Sequence, residues 1–117
     1  MRVLFLDDDP NRQRMAFRYF AGHELSQAET AEQAIKMLDK YSPYDLVHLD
    51  HDLGGKTFVP SDEVSGYQVA KHIAQMSGDR LPKRVVVHSY NFAGAKNMME
   101  ALEGIVPVSY EPFNLIV

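Results

Sequence analysis

The feature that most constrains the fold is the regular alternation of short apolar runs with amphipathic segments along the chain. The apolar runs lie at 2–6, 24–28, 44–49, 83–88 and 105–110. Between them, apolar residues recur at every third or fourth position, which is the spacing of a helix with one buried face. Strands that alternate with helices predict an α/β fold, here a doubly wound, five-stranded parallel sheet with helices on both faces.

Residues that can cap a helix precede three of the amphipathic segments: Asp9 before Pro10, Thr30 with Gln33, and Ser65 with Gln68. An N-cap followed by proline and a capping box are both typical helix starts. The first helix is predicted over about 10–22, with Ala16, Phe17 and Phe20 on one face, and the last helix over 94–104. Pro107 lies inside the fifth apolar run and predicts an edge strand, because proline cannot donate a ladder hydrogen bond.

Length, charge and cysteine content exclude several classes of protein. The 117 residues predict a single domain over 1–117, and the net charge of -4 argues against a surface that binds duplex DNA. Cysteine is absent, which excludes disulfides and thiolate chemistry and fits a cytoplasmic protein. No apolar run has the length of a signal peptide or a membrane span, so no membrane partner is expected.

Acidic side chains directly follow two of the predicted strands. Asp7 and Asp8 end the first strand and Asp50 ends the third, at the edge where ligands of doubly wound sheets bind. Two carboxylates ~4 Å apart repel by about 4 kcal/mol at an effective dielectric constant of roughly 20. If these strands are neighbours, the cluster therefore needs a cation or raised pKa values. Oxygen ligands favour Mg²⁺, whereas a histidine ligand would shift the preference towards Mn²⁺ or Zn²⁺.

The stretches "VLFLDDDPNR" (3–12) and "YDLVHLD" (44–50) resemble the first and third strands of response-regulator receiver domains. The resemblance extends to "SGYQVAKHI" (65–73) and to "EPF" after the fifth strand. It implies a flavodoxin-like or CheY-like sheet with the strand order 2-1-3-4-5. It also implies that Asp7 and Asp8 are the metal-binding acidic pair and that Asp50 is the phosphoacceptor.

The chain departs from ordinary receivers in ways that bear on function. Receivers carry a lysine before the "PF" of strand 5 that grips the phosphoryl group, and Glu111 stands in its place. The chain stops seven residues after Tyr110, so we expect the final receiver helix to be missing. The set "LDHDLGG" (49–55) with "HSYNFAGAK" (88–96) is similar to the cyclic-phosphate-processing receiver domains. That similarity implies action on a cyclic phosphate rather than relay of a phosphoryl signal.

These observations predict a metal-dependent phosphoesterase site. Its residues fall into three groups: Asp50, His88 and His51 for catalysis; Ser89, Asn91, Gly94 and Lys56 for phosphate binding; Asp7, Asp8, Asp50 and Asp52 for the metal. A histidine is suited to act as general acid or base because imidazole titrates near neutral pH. The predicted ligand is a phosphate-containing small molecule or an RNA end.

Two other functions remain open at this point. A stand-alone receiver would accept a phosphoryl group on Asp50 in a phosphorelay, although Glu111 argues against it. A non-catalytic binding module would also tolerate Glu111. Structural roles compete as well: Asp9 as a helix cap only, His51 and Asp52 as turn residues, and His48 as a core residue or as a partner of Asp50.

The absence of a final helix also predicts self-association. Without it, Ile105, Val106 and the apolar tail at 115–117 are expected to be exposed. A large exposed apolar patch usually marks an interface, and a two-fold dimer is the commonest way to bury one. We therefore expect a homodimer through the fifth strand and the tail, unless the tail folds back over its own sheet.

Overall fold

The computed structural model describes residues 1–53 and 64–112. Its strands are β1 (Arg2–Leu6), β2 (Glu24–Ala28), β3 (Leu46–Leu49), β4 (Arg84–Val87) and β5 (Val108–Tyr110). Its helices are α1 (Pro10–Tyr19), α2 (Ala31–Tyr41), α3 (Gly66–Ala74) and α4 (Phe92–Leu102), with a 3₁₀ turn at Gly78–Arg80. The predicted alternation of strands and helices is confirmed.

The five strands form one parallel sheet in the order β2-β1-β3-β4-β5. This is the predicted doubly wound order, and β5 lies at an edge as Pro107 indicated. The order reverses at β1, where Leu6 pairs with Ala28 of β2 on one side and with Leu49 of β3 on the other. The crevice outside such a switch point is where ligands bind in this class of sheet.

Alternate residues of the central strands pack against different helices. Leu4 and Leu6 belong to the larger core, which α2, α3 and α4 cover, whereas Val3 and Phe5 belong to a smaller core under α1. Both faces of β1 are therefore buried. This explains why the strand reads as a continuous apolar run rather than as an alternating one.

The predicted helix starts are confirmed by side-chain caps. Asp9 Oδ1 accepts the Asn11 N–H at 2.7 Å at the start of α1, and Pro10 is the first helical residue. The capping boxes of Thr30 with Gln33 and of Ser65 with Gln68 are both formed. Because caps satisfy backbone donors that helices leave unpaired, they are reliable local signals.

The first helix ends earlier than predicted, at Tyr19 rather than near residue 22. Gly22 adopts a positive φ of 88° in the turn that leads into β2, which ends the helical path. Ala16 and Phe20 face the core as predicted, but Phe17 is 68% exposed. The prediction that Phe17 shares the buried face with Ala16 and Phe20 was wrong, because this short helix buries a narrower stripe against the central strands than its apolar residues suggest.

Two other boundaries and the burial of one residue also differ. The fourth helix begins at Phe92 because the Asn91 side chain accepts the Gly94 N–H at 3.0 Å and caps it, two residues before the predicted start. The fifth strand begins at Val108, after Pro107. Val106 is buried in the larger core, so the prediction that it is exposed was wrong, whereas Ile105 is 39% exposed.

Some sequence predictions cannot be compared with the structure. Lys56, the Gly54–Gly55 pair and the tail at 115–117 lie outside the described residues. Within residues 1–53 and 64–112, no helix is long and apolar enough to cross a membrane.

Candidate active site

Three carboxylates converge where β1 and β3 end. The Asp50 N–H donates to the Leu6 carbonyl at 3.0 Å, which continues the pairing of the two strands and brings Asp50 beside Asp7. One carboxylate oxygen from each of Asp7, Asp8 and Asp50 lies within 4.8 Å of the others. The structure thus places together three of the four residues predicted to bind the metal.

Asp7 is fully buried and receives four hydrogen bonds. Its Oδ1 accepts the Asp9 N–H at 2.8 Å and Arg12 Nη2 at 3.0 Å. Its Oδ2 accepts Arg12 Nε at 2.6 Å and lies 3.0 Å from His88 Nε2. Burial raises the pKa of Asp7, but the hydrogen bonds from His88 and Arg12 outweigh it and the net pKa lies below the ordinary value. Asp7 is therefore ionised.

Among residues 1–53 and 64–112, Arg12 is the cation that contacts this cluster, and sequence reasoning missed it. Besides the two bonds to Asp7, its Nη1 lies 3.1 Å from Asp9 Oδ2 and its Nη2 lies 3.8 Å from Asp50 Oδ2. Burial works against the charge of Arg12, but the bonds and charge of Asp7 hold its pKa above the ordinary value. The signal was present in "DDDPNR", because residue 12 lies in the first turn of α1, three residues after the helix cap.

Asp50 is buried and less well compensated than Asp7. Its Oδ1 accepts the His51 N–H at 2.9 Å. Burial raises the pKa of Asp50 to about 8, with a further contribution from the charge of Asp7, whereas Arg12 acts in the opposite direction. In the absence of a bound cation, the site therefore favours a protonated Asp50 near neutral pH.

His88 lies behind the acidic cluster. Its ring is stacked on Phe5, with centroids 4.8 Å apart, and is almost completely buried. Burial lowers the pKa of His88, which keeps the ring neutral, so Nε2 carries the proton that is donated to Asp7. His48 packs between Phe5 and Phe20 in the smaller core, with a pKa lowered by burial to about 3.

A second polar network joins the end of β3 to the start of α4. His51 is fully buried, and its Nδ1 lies 3.0 Å from Asp52 Oδ1. Asn91 donates from Nδ2 to the same Asp52 oxygen at 3.0 Å, while its Oδ1 caps α4 through Gly94. A Cβ at Gly94 would overlap the His51 ring, so glycine is required for this approach. Asp52 lies in this network, and its predicted metal role stays a prediction.

Ser89 connects this network to β5. Its hydroxyl oxygen accepts the Asn91 N–H at 3.0 Å, and its carbonyl accepts the Tyr110 hydroxyl at 2.8 Å. Ser89 is buried, so the predicted contact of its hydroxyl with phosphate also stays a prediction. The Gly94 amide donates to Asn91 Oδ1, and its predicted contact with phosphate likewise stays a prediction.

Glu111, which replaces the receiver lysine, is bound by other side chains. Its Oε2 lies 2.5 Å from Arg84 Nη2 and accepts the Ser109 hydroxyl at 2.8 Å. Its own N–H donates to the Val87 carbonyl, which extends the pairing of β4 with β5. This position therefore supplies a compensated negative charge in place of a cation.

The donor set of the acidic cluster fits a hard divalent cation. All three carboxylates offer oxygen, the spacing allows one atom from each to approach a common point, and Mg²⁺ prefers such ligands. The pKa of Asp50 is raised mainly by burial and further by the charge of Asp7, so a bound cation would stabilise its ionised form. Asp7, Asp8 and Asp50 are therefore the residues that would hold the ion.

A family model described as "Cyclic-phosphate processing Receiver domain" matches residues 2–104. That range includes the acidic cluster of Asp7, Asp8 and Asp50 and the polar network that joins the end of β3 to the start of α4. No curated protein is similar enough in sequence to count as a match.

Solved structures of receiver proteins share the fold. The response regulator protein TrrA from Thermotoga maritima, in complex with Mg²⁺-BeF, is 26% identical with a TM-score of 0.68, and the alignment covers 97% of this chain and 88% of that one. A response regulator protein from Burkholderia pseudomallei, with a phosphorylated aspartic acid, calcium ion and citrate, is 19% identical with a TM-score of 0.69, covering 97% and 61%. The response regulator domain of Thermotoga maritima CheB is 20% identical with a TM-score of 0.63, covering 96% and 77%.

Proposed function

Since this chain belongs to the family of cyclic-phosphate processing receiver domains, we propose that it is a metal-dependent phosphoesterase that opens a cyclic phosphate. The substrate is a phosphate-containing small molecule or an RNA end. The observation that carries the proposal is the convergence of Asp7, Asp8 and Asp50 at the switch point of the sheet. That position is where ligands enter this class of fold.

The reaction is hydrolysis of one ester bond of the ring. Water adds to phosphorus, one phosphorus–oxygen ester bond breaks, and the leaving oxygen takes up a proton to give a phosphomonoester. A divalent ion held by the three carboxylates, as the Mg²⁺-BeF complex of the Thermotoga maritima protein suggests, would neutralise negative charge on the phosphate. Binding of the ion would ionise Asp50, and we assign to its carboxylate the transfer of the proton from the water to the leaving oxygen, through the oxygen that does not hold the ion.

The two histidines predicted to transfer protons are assigned to different parts of the site. His88 holds Asp7 through Nε2 and faces Phe5, so we assign it to positioning the carboxylate. His51 bonds to Asp52 and packs under Gly94, so we assign it to holding the phosphate-binding side of the site in place. Ser89 and Asn91 lie on that side and are proposed to contact the phosphate.

The phosphorelay alternative is favoured by one observation, the approach of Arg12 to Asp50. Its Nη2 lies 3.8 Å from Asp50 Oδ2 and offers a positive charge near a phosphorylated Asp50. Against this, Arg12 is already bonded to Asp7 and Asp9, and Glu111 replaces the lysine. We therefore predict that acetyl phosphate with Mg²⁺ does not label Asp50 to a measurable extent. Metal-dependent labelling seen by intact-protein mass spectrometry would restore the phosphorelay function.

The proposed function is tested by a screen of cyclic phosphates. The protein is incubated with 2′,3′-cyclic and 3′,5′-cyclic nucleotides in the presence of Mg²⁺, Mn²⁺ or Zn²⁺, and the phosphomonoester is detected by ³¹P NMR. We expect hydrolysis with at least one combination of cyclic nucleotide and metal ion. Asp50→Asn should abolish this activity. Asp79→Asn is the matched control, since it removes the same charge from an exposed position in the 3₁₀ turn. No turnover with any pair would contradict the proposal.

A further inference from the structure

We propose that Arg12 is the resident cation of the acidic cluster and that a divalent ion binds by displacing it. This inference rests on the proposed function only in taking Asp7, Asp8 and Asp50 as the metal ligands. It adds a competition between a side chain of the protein and the ion for the same carboxylates.

The guanidinium of Arg12 lies among the carboxylates of the cluster. Arg12 forms a two-pronged contact with Asp7, through Nε at 2.6 Å and Nη2 at 3.0 Å. Its remaining nitrogen, Nη1, lies 3.1 Å from Asp9, and Nη2 also points towards Asp50. A planar guanidinium matches carboxylates in this way better than any other side chain does. Arg12 therefore places a positive charge among carboxylates that include two of the proposed metal ligands.

Hydrogen-bond donors already occupy both carboxylate oxygens of Asp7. An ionised carboxylate offers about four lone-pair sites, and Asp7 receives two donors on Oδ1 and two on Oδ2. A metal ion can use an Asp7 oxygen as a ligand only after one of these donors has left. The metal-free arrangement is thus saturated with hydrogen bonds rather than ready for the ion.

Of the donors to Asp7, Arg12 is the one that can move away. The Asp9 N–H belongs to the backbone at the cap of α1, and His88 is buried and stacked on Phe5. The Arg12 side chain is 26% exposed and reaches the cluster from the first turn of α1 over a flexible stem. A divalent ion at the carboxylates would also repel the guanidinium. Arg12 is therefore the donor that moves.

Competition predicts that removal of Arg12 strengthens metal binding. We would titrate Mn²⁺ into the protein by calorimetry, without substrate, and compare the wild type with Arg12→Gln. We expect the variant to bind Mn²⁺ at least tenfold more tightly. The matched control is Arg14→Gln, which removes the same charge from the same helix at a residue whose Nη2 bonds Asn11, and it should bind as the wild type does.

The opposite result is expected if Arg12 only orients Asp7 for the ion. Equal or weaker binding in Arg12→Gln, or no binding in any of the proteins, would overturn the proposal. Because the Gln variant removes the guanidinium from the acidic cluster and can fail to fold, Arg12→Lys is a second test. Lysine keeps the charge but cannot form the two-pronged contact with Asp7. We therefore expect Arg12→Lys to bind Mn²⁺ two- to tenfold more tightly than the wild type does. Binding no tighter than in the wild type would equally overturn the proposal.

A thermal-shift measurement gives a readout that is independent of turnover. Arg12→Gln should have a lower Tm than the wild type in EDTA, and Mn²⁺ should raise its Tm by more than it raises that of the wild type. If the cyclic-phosphate screen fails while this pattern appears, the proposed function is wrong and the competition stands. If turnover is found and Arg12→Gln binds Mn²⁺ no better, only the competition is wrong.

Discussion

At the residue scale, the site holds two carboxylates in opposite states. Asp7 is ionised because Arg12 and His88 donate to it, whereas burial and the charge of Asp7 raise the pKa of Asp50 to about 8. Two acids whose environments separate their pKa values are typical of sites that bind cations or transfer protons. The predictions at this scale therefore concern Asp50 and His88.

Asp50→Asn should stabilise the metal-free protein at neutral pH. The pKa of Asp50 is raised to about 8 in the folded protein. Between about pH 4 and pH 8 the unfolded chain has therefore released a proton that the folded chain retains. The wild type thus loses stability as the pH rises through this range. Asparagine removes this loss and can still accept the His51 N–H. We expect a gain of roughly 1–3 kcal/mol in the free energy of unfolding at pH 7, shrinking towards pH 4. Urea unfolding in EDTA across this range measures it, with Asp79→Asn as control. A variant less stable than the wild type at pH 7 would contradict the raised pKa.

His88 is predicted to act through its donor to Asp7. His88→Ala removes that donor and should lower turnover of the cyclic phosphate by roughly 10²–10⁴, the range for an acid–base or positioning group. His88→Gln keeps an N–H that can reach Asp7 and should recover most of the activity and of the Mn²⁺ affinity. If Gln is as inactive as Ala while Mn²⁺ still binds, His88 transfers a proton directly, as the sequence suggested.

At the element scale, two helices begin against the chain that leaves β3. Gly66 opens α3, and a Cβ there would overlap the backbone oxygen of Asp50. Gly94, in the first turn of α4, lies against the His51 ring. The starts of α3 and α4 can lie this close to Asp50 and His51 only because Gly66 and Gly94 lack a side chain. The glycines therefore fix how closely the helix starts line the site.

Gly94→Ala tests this close approach. Alanine in a helix normally stabilises by about 0.5–1 kcal/mol relative to glycine, but here the added methyl group meets the buried His51 ring. We expect instead a destabilisation of roughly 1–3 kcal/mol. Gly78→Ala is the matched control, because its Cβ would meet open space. Combining Gly94→Ala with His51→Ala should remove the clash. Additive effects in this double-mutant cycle would show that the ring is not the obstacle.

At the scale of the whole molecule, β5 is the edge of the sheet next to β4, and it is only half-buried. Ile105, in the turn that precedes it, is 39% exposed. An edge strand offers unpaired backbone groups, and exposed apolar surface beside it favours association. The homodimer predicted from the sequence would use this edge, although Val106 is buried in its own core and does not contribute.

Sedimentation velocity at micromolar concentration should therefore reveal a dimer. Ile105→Glu should shift the equilibrium to the monomer without loss of fold, because the side chain is already partly exposed. Phe17→Glu is the control, since it changes an exposed apolar residue on α1, away from the fifth strand, and should leave the dimer intact. A monomer at every concentration would contradict the prediction and favour a chain that covers its own edge.

The sequence by itself determined the order of elements, three of the four helix starts and the placement of Asp7, Asp8 and Asp50 at one edge. These properties are local, since an apolar period sets the buried face of an element and a capping residue sets its start. The parallel arrangement then brings strand ends together whatever the details of packing. The family resemblance was likewise carried by short stretches next to the strands.

Only the tertiary structure decided which side chains reach the acidic edge. Arg12 bonds to Asp7 because the first turn of α1 lies directly beside the end of β1, and His51 turns under Gly94 because α4 starts two residues earlier than its apolar period indicates. Phe17 faces outward although its neighbours Ala16 and Phe20 are buried. Long side chains can reach several partners, and the choice depends on distances between elements that no local pattern contains. The acidic cluster was therefore readable from the sequence, but the position of Arg12 within it was not.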